Sequence, residues 1–218
     1  MDSALPDVVQ ALAPRLRAGL DRLELADTGL DAALLAYLAL LLQWNRAYNL
    51  TAIRDPQAML GKHLFDSLAI HRHLHEGERL IDIGSGAGLP AIPLALARPD
   101  LRYTLVETAG KKARFLREAV RTLGLGERVR VLSARAEEVP EAGLHDGLTA
   151  RALGTLRQLI AFGGHLLHPG GRLLAMKGQP PLEELADLPE GWRHLATHPL
   201  QVPELDAERC LCIVEALS

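Results

Sequence analysis

One short run of this sequence has the residue types to hold a charged ligand: Asp82-Ile83-Gly84-Ser85-Gly86-Ala87-Gly88. It closes an apolar stretch that reads as a strand, 79–84, and opens a helical pattern at 89–98; a doubly wound sheet binds its ligand at such a strand–turn–helix corner. Glycines at 84, 86 and 88 allow tight turning and close approach of a ligand to backbone, while the helix start offers free N–H groups. The nicotinamide fingerprint G-x-G-x-x-G would need a third glycine at position 89, where the chain has Leu89. A pyrophosphate would also meet the carboxylate of Asp82, which an ammonium group would suit instead. A second acid, Glu107, ends the run Tyr103-Thr104-Leu105-Val106-Glu107, where an uncharged ribose needs a hydrogen-bond acceptor.

A ligand with an ammonium group and a free ribose is S-adenosylmethionine (SAM), so the expected chemistry is methyl transfer. The fourth strand leads into Thr149-Ala150-Arg151-Ala152-Leu153, which lacks the Asn/Asp-Pro-Pro-aromatic segment used on exocyclic amines. A pyrimidine carbon would need a cysteine nucleophile near that edge, and the two cysteines, Cys210 and Cys212, lie in the last strand pattern. What remains is an acceptor that is already nucleophilic, such as a ring nitrogen, which needs positioning more than a general base. Guanine N7 fits, and the planar fork of Arg151 could pair with a base edge or the cofactor carboxylate.

The elements that must position these groups follow from periodicity. Residues 7–47 read as two helices broken at Thr28-Gly29, and a further helix fits 62–74. Strands are expected at 79–84, 102–107, 129–134, 147–152, 172–177, 192–201 and 208–216, with helices at 89–98, 110–123 and 155–167 and a turn at 136–139. Alternation of strand and helix implies parallel strands with crossovers on both faces. The last two strands lack an intervening helix, so an antiparallel hairpin at the sheet edge is expected. The fold expected is α/β: a doubly wound, Rossmann-like seven-stranded sheet of the class I methyltransferase type at 77–218, with a short N-terminal helical extension at 1–76.

Composition agrees with a folded, soluble chain: 48% apolar, 23% charged, net charge −3. No signal or transit segment is readable, and the most apolar stretch, Ala32 to Leu42, is far shorter than the roughly 18 residues of a membrane span; a cytoplasmic monomer without membrane contact is expected. Cys210 and Cys212 are two apart, hence on one strand face, which suits neither a disulfide nor a metal site. His71, His73 and His75 show no metal spacing, and no metal is expected. Seven cations, Lys111, Lys112, Arg114, Arg117, Arg121, Arg128 and Arg130, outnumber Glu118 and Glu127; such a cluster can hold phosphates or form an ordinary solvated helix face.

Taken together, Trp44-Asn45, Asn49-Leu50-Thr51, Lys62-His63, Asp66-Ser67-Leu68, the run Asp82 to Pro93, Lys111-Lys112, Phe115-Leu116, Arg135-Ala136-Glu137, Arg151-Ala152 and Met176-Lys177-Gly178 resemble the bacterial 16S rRNA guanine-N7 methyltransferase family (RsmG, also GidB). The resemblance implies methyl transfer from SAM to N7 of a guanine in the 530-loop region of 16S rRNA, free or within the small ribosomal subunit. It carries cofactor contacts to Gly84, Leu89, Ala136, Glu137 and Arg151, beside the Asp82, Gly86, Gly88 and Glu107 read from the loop. His63, Asp66 and Lys177 fall in family motifs on the acceptor side, with Arg151; Lys111, Lys112 and Arg114 are the RNA-binding candidates. Ala91 departs from the family's usual glycine after Leu-Pro. A small-molecule or protein methyltransferase, an RNA-binding module without catalysis and a nicotinamide oxidoreductase stand as alternatives; competition between SAM and NAD separates them.

Overall fold

The computed structural model describes residues 5–26 and 28–217. Its first helices are α1 (Asp7–Gln10), α2 (Ala13–Arg22) and α3 (Leu30–Tyr48), three where periodicity gives two. Gly29, at φ +95°, starts α3 and Asn49, at φ +50°, ends it, both in the left-handed region that terminates helices. α4 (Pro56–Met59) is capped by Asp55, whose side chain accepts from the Gln57 N–H, with proline at the first helical position, where a missing N–H costs little.

The helix expected at 62–74 is replaced by a π-helical turn, Leu60–Phe65, a short α5 (Asp66–Leu68) and a 3₁₀ turn, His71–His73. A π turn fits one more residue into each turn than an α-helix, so hydrophobic spacing alone does not reveal it. Gly61 packs under the chain near residue 204, where an added Cβ would lie 2.9 Å from the Glu204 carbonyl oxygen. The turn presents Lys62, His63 and Asp66 to one pocket.

The core elements follow in order: β1 (Arg79–Ile83), α6 (Ala91–Ala97), β2 (Arg102–Val106), α7 (Gly110–Thr122), β3 (Val129–Leu132), β4 (His145–Arg151), α8 (Leu156–Gly163), β5 (Leu167–Lys177), α9 (Leu182–Ala186), β6 (Trp192–Pro199) and β7 (Cys210–Ala216). A capping box on Thr155 and Gln158 starts α8. The sheet order is β3-β2-β1-β4-β5-β7-β6, parallel from β3 to β5, with β7 antiparallel to both β5 and β6. This is the class I Rossmann-like arrangement. β5 begins five residues earlier than its apolar run, at Leu167, because Pro169-Gly170-Gly171 continue it past a bulge opposite β4. β7 lies inside the sheet, and Cys210 through Val214 are all buried, so the expected alternation of buried and exposed residues is absent.

Strand residues alternate between two apolar layers. Leu80, Tyr103, Leu105, Leu174, Leu211 and Ile213 face a layer shared with α2, α3, α6 and α7; Ile81, Ile83, Val106, Leu173, Cys212 and Val214 face one shared with α8. The N-terminal helices thus complete one side of the core rather than hang from it. Among the described residues, no helix is long and apolar enough to cross a membrane.

Gly19 in α2 lies against the Phe65 ring, and a Cβ there would come within 2.0 Å of the ring. Gly19→Ala should therefore destabilise by about 1–3 kcal/mol through overpacking, while Gly126→Ala, with nothing within 4 Å, should shift stability by less than about 0.5 kcal/mol. Urea unfolding decides it; equal midpoints for the two variants would contradict the packing of the helical extension described here.

Candidate active site

Crossovers leave β1 toward β2 and β4 toward β5, so the carboxyl ends of β1 and β4 bound a crevice. At the end of β1, Asp82 stands in register with Thr149 on the neighbouring strand. The Thr149 hydroxyl donates to Asp82 Oδ1 at 2.7 Å, whereas Oδ2 has no partner among the described residues. Asp82 is wholly buried. Burial pushes its carboxyl up from 3.8 to about 7, and the Glu107 charge adds to this; the nearby Ser85 hydroxyl, the hydrogen bond from Thr149 and the Arg151 cation pull the other way.

The glycine loop wraps in front of it. Gly84, Gly86 and Gly88 have φ of +63°, +56° and +84°, conformations that other residues adopt only with strain. Ser85 Oγ donates to the Asp82 carbonyl at 2.8 Å, and the Gly88 N–H donates to the Ser85 carbonyl at 2.7 Å. Glu107 accepts from the backbone N–H of Gly86 and of Ala109, each at 2.8 Å. It therefore fixes the loop and keeps one lone pair per oxygen for a hydroxyl donor. Gly88 packs on Ile92 and Leu116, and the Leu89 side chain is in the core, so any contact these two make with a ligand would be through backbone.

Beside the loop, a cleft of about 210 Å³ is lined by Gly84, Val106, Thr108, Ala136, Glu137 and Leu153, among others. Ala136 and Glu137 sit on a 3₁₀ turn, Ala136–Glu138, with Glu137 exposed at the rim. An apolar slot with a carboxylate at its edge suits a purine whose amino group donates. The unpartnered Asp82 oxygen and the open space at Gly86, where a Cβ would meet only the Gly84 carbonyl at 3.7 Å, also suit a ligand with a cationic amino-acid end.

A second pocket, about 540 Å³, adjoins it and holds Lys62, His63, Asp66, Arg151, Lys177 and Arg209. Asp66 is buried and bridges two arginines: Arg151 Nη1 donates to Oδ2 at 2.9 Å and Arg209 Nε to Oδ1 at 3.0 Å. Arg151 also donates to the Lys62 carbonyl at 3.1 Å. The His63 Nδ1 lies 2.9 Å from the Lys62 carbonyl, which can only accept, so Nδ1 carries the proton; Nε2 then accepts from the Thr51 hydroxyl at 2.9 Å. Burial, with the Arg151 cation beside it, pushes the His63 imidazolium down to about 4. His63 is thus a neutral residue with both nitrogens engaged. Lys177 spends its donors on Glu184 at 2.8 and 3.0 Å and on the Gly154 carbonyl at 2.9 Å, so it braces the turn after β4.

Leu153, on that turn, lines both cavities and rests on Gly84, where a Cβ would come within 2.7 Å of its Cδ1. Ala152 before it has φ +53°, a strained value for a residue with a side chain. The sequence singles out neither Leu153, Arg209 nor Glu184. Arg209 reaches the site because β7 is inserted beside β5, with Cys210 in register with Lys177, a pairing that order along the chain does not reveal.

The seven-cation cluster does not form one patch. Lys111, exposed over the Tyr48 ring at 5.8 Å from its centroid, the half-buried Lys112 and the exposed Arg114 sit at the start of α7, on the side of the crevice. Arg121 is paired with Glu118, and Arg128 and Arg130 line a cavity at the opposite, amino-terminal end of the strands with Arg79 and Arg102. A helix of this length separates the two ends by about 20 Å.

The family model described as rRNA small subunit methyltransferase G matches residues 31–212. The chain belongs to that family. Relatives named ribosomal RNA small subunit methyltransferase G are 57% identical over 98% of both chains in Xanthomonas campestris pv. campestris (strain 8004) and 59% identical over 87% of this chain and 91% of the relative in Stenotrophomonas maltophilia (strain K279a). At this identity the chain is a methyltransferase. Among solved structures, a SAM-dependent methyltransferase from Aquifex aeolicus matches with TM-score 0.53 at 20% identity, covering 71% of this chain and 91% of that one. The [4+2]-cyclase SpnF matches with TM-score 0.59 at 16% identity, covering 88% and 98%. These two share the fold, and the second shows that the fold does not fix the reaction.

The Asp82 shift gives a pH signature. Because the folded protein holds this proton more tightly than the unfolded chain, the stabilising contribution is complete below 3.8 and is lost as pH rises through about 7. Asp82→Asn lacks the titration, so the stability of the wild type relative to the variant should fall across that window and level off above it. Parallel pH profiles from urea unfolding would show that Asp82 titrates normally.

Proposed function

We propose that this chain transfers a methyl group from SAM to N7 of a guanine in the 530-loop region of 16S rRNA, in the cytoplasm. The observation that carries the reading is the junction at Leu153 of two unlike cavities, one with groups that suit SAM and the other lined by cations, in a chain of this family. SAM supplies an electrophilic methyl on a sulfonium centre. Asp82 would face its ammonium group, Gly84 and Gly86 its amino-acid backbone, Glu107 its ribose, and Ala136 and Glu137 its adenine. Residues 77–218 are the catalytic core in this reading, and the extension 1–76 completes the acceptor pocket through Lys62, His63 and Asp66.

Guanine N7 carries a free lone pair in the plane of the ring, so attack in line on the methyl needs alignment and no deprotonation. The acceptor pocket suits that demand. Its imidazole and its buried carboxylate are both engaged in hydrogen bonds, and Arg151 and Arg209 offer fixed guanidinium groups for guanine O6 or a phosphate, which leaves the N7 lone pair free to attack. Methylation places positive charge on the base, and Asp66, held between the two arginines, limits the repulsion it would meet.

Incubation with labelled SAM and either naked 16S rRNA or unmodified small subunits tests the reading directly. Label recovered as 7-methylguanine at one 530-loop position supports it; SAM binding by calorimetry without label on either RNA would overturn the acceptor assignment. Lys111, Lys112 and Arg114 are the proposed phosphate contacts. Replacing all three by alanine should weaken RNA binding at every sequence and reduce the salt slope of log K by about 2 to 3; an unchanged slope in a filter-binding series would place the RNA on another face.

A further inference from the structure

Helix α3 reaches both halves of the site. Tyr37, wholly buried in it, donates its hydroxyl to the Ala87 carbonyl at 2.7 Å. Ala87 stands between Gly86 and Gly88, two of the three glycines of the loop with positive φ. The loop's other anchors lie within the core domain: Ser85 on Val106 and Asp82, Gly86 on Glu107, and Gly88 and Leu89 on Ser85. The Tyr37 hydroxyl alone ties the loop to the helical extension among the bonds described. Two helical turns further on, about 12 Å along the axis, Asn45 accepts from the Thr51 N–H at 2.9 Å and donates to the Ile53 carbonyl at 3.3 Å, and Thr51 in turn holds His63 at 2.9 Å. One rigid helix therefore orders the glycine loop at one point and the acceptor pocket at another.

We propose that Tyr37 is a positioning residue for the cofactor: its hydroxyl holds the glycine loop in the turn that admits SAM and makes cofactor affinity depend on helix α3. The inference rests on the SAM reading above. Removing the hydroxyl leaves the Ala87 carbonyl buried without a donor, and the loop then relaxes toward solvent to satisfy it. Binding has to reverse that relaxation, so affinity falls while the chemistry of the bound complex is unaltered.

Tyr37→Phe is the test, with Tyr103→Phe as its control. Tyr103 is equally buried on β2, and its hydroxyl has no partner among the described residues. Expected for Tyr37→Phe are about tenfold weaker SAM binding by calorimetry, a KM for SAM raised by the same factor at unchanged kcat, and faster amide exchange at Ala87 and Gly88 in the cofactor-free protein. Tyr103→Phe should match the wild type in all three. Wild-type SAM affinity and loop exchange in Tyr37→Phe would overturn the inference, as would equal losses in both variants. Wild-type protein that fails to bind SAM would overturn the cofactor reading and this inference together, whereas binding confined to the wild type and Tyr103→Phe supports both.

Discussion

Everything at the site is built around a hydrogen bond across the point where the sheet changes direction. Thr149 on β4 donates to Asp82 on β1, neighbours in register whose following helices depart to opposite sides. That divergence opens the crevice, and the bond fixes a buried carboxylate between the two strands with one oxygen unspent. A buried carboxylate with a free oxygen is costly to ionise, which is why its proton is held to about pH 7. The cost falls when a cation arrives. The glycine loop can pass in front of this group because Gly84, Gly86 and Gly88 turn with positive φ, and Glu107 on the next strand pins the loop by two backbone N–H groups. The same carboxylate that would disfavour a pyrophosphate would, in the proposed reaction, favour an ammonium ion.

Much of this was legible in the sequence because it is local. The loop, its two acids and the strand–helix alternation are each contained in one short stretch, and period, glycine and acid placement report them directly. The misses are of two kinds. The π turn at Leu60–Phe65 has an apolar pattern close to an α-helix, and only tertiary packing of Gly61 on the 204 backbone distinguishes them. Arg209, Tyr37 and Leu153 act across long separations in sequence, Arg209 meeting Asp66 only because β7 enters the sheet beside β5, whereas Glu184 pairs with Lys177 only seven residues earlier but on a short helix that spacing does not indicate. The basic cluster was misleading in another way: charge counted along the chain merged the start of α7 with the start of β3, which lie at opposite ends of the strands.

The helical extension has a larger role than its place before the strands suggests. It supplies the apolar partners of one sheet face, with Leu34, Leu38 and Leu41 wholly buried in α3. It also supplies Lys62, His63 and Asp66 to the cationic pocket, the acceptor side in the proposed reaction. Asp66 sets the electrostatics there: with both oxygens taken by guanidinium groups, it orients Arg151 and Arg209 and keeps their planes in fixed relation. A lysine at either place would hold the charge without the planar fork.

Catalysis in such a pocket is defined as much by what its groups are unable to do. The imidazole of His63 is neutral, donates to one carbonyl and accepts from one hydroxyl, and is crowded by an arginine. Lys177 is neutralised by Glu184, which also accepts from the Leu156 N–H at the start of α8. An acceptor that must lose a proton before attack, such as an exocyclic amine or a hydroxyl, would find neither group free to take it. A ring nitrogen asks only to be aligned, and alignment is what two anchored arginines, a braced turn and a loop held from both sides provide. The fold is shared with proteins of other chemistry; in the proposed reaction these engaged side chains would favour an acceptor that is already nucleophilic, one hydrogen bond at a time.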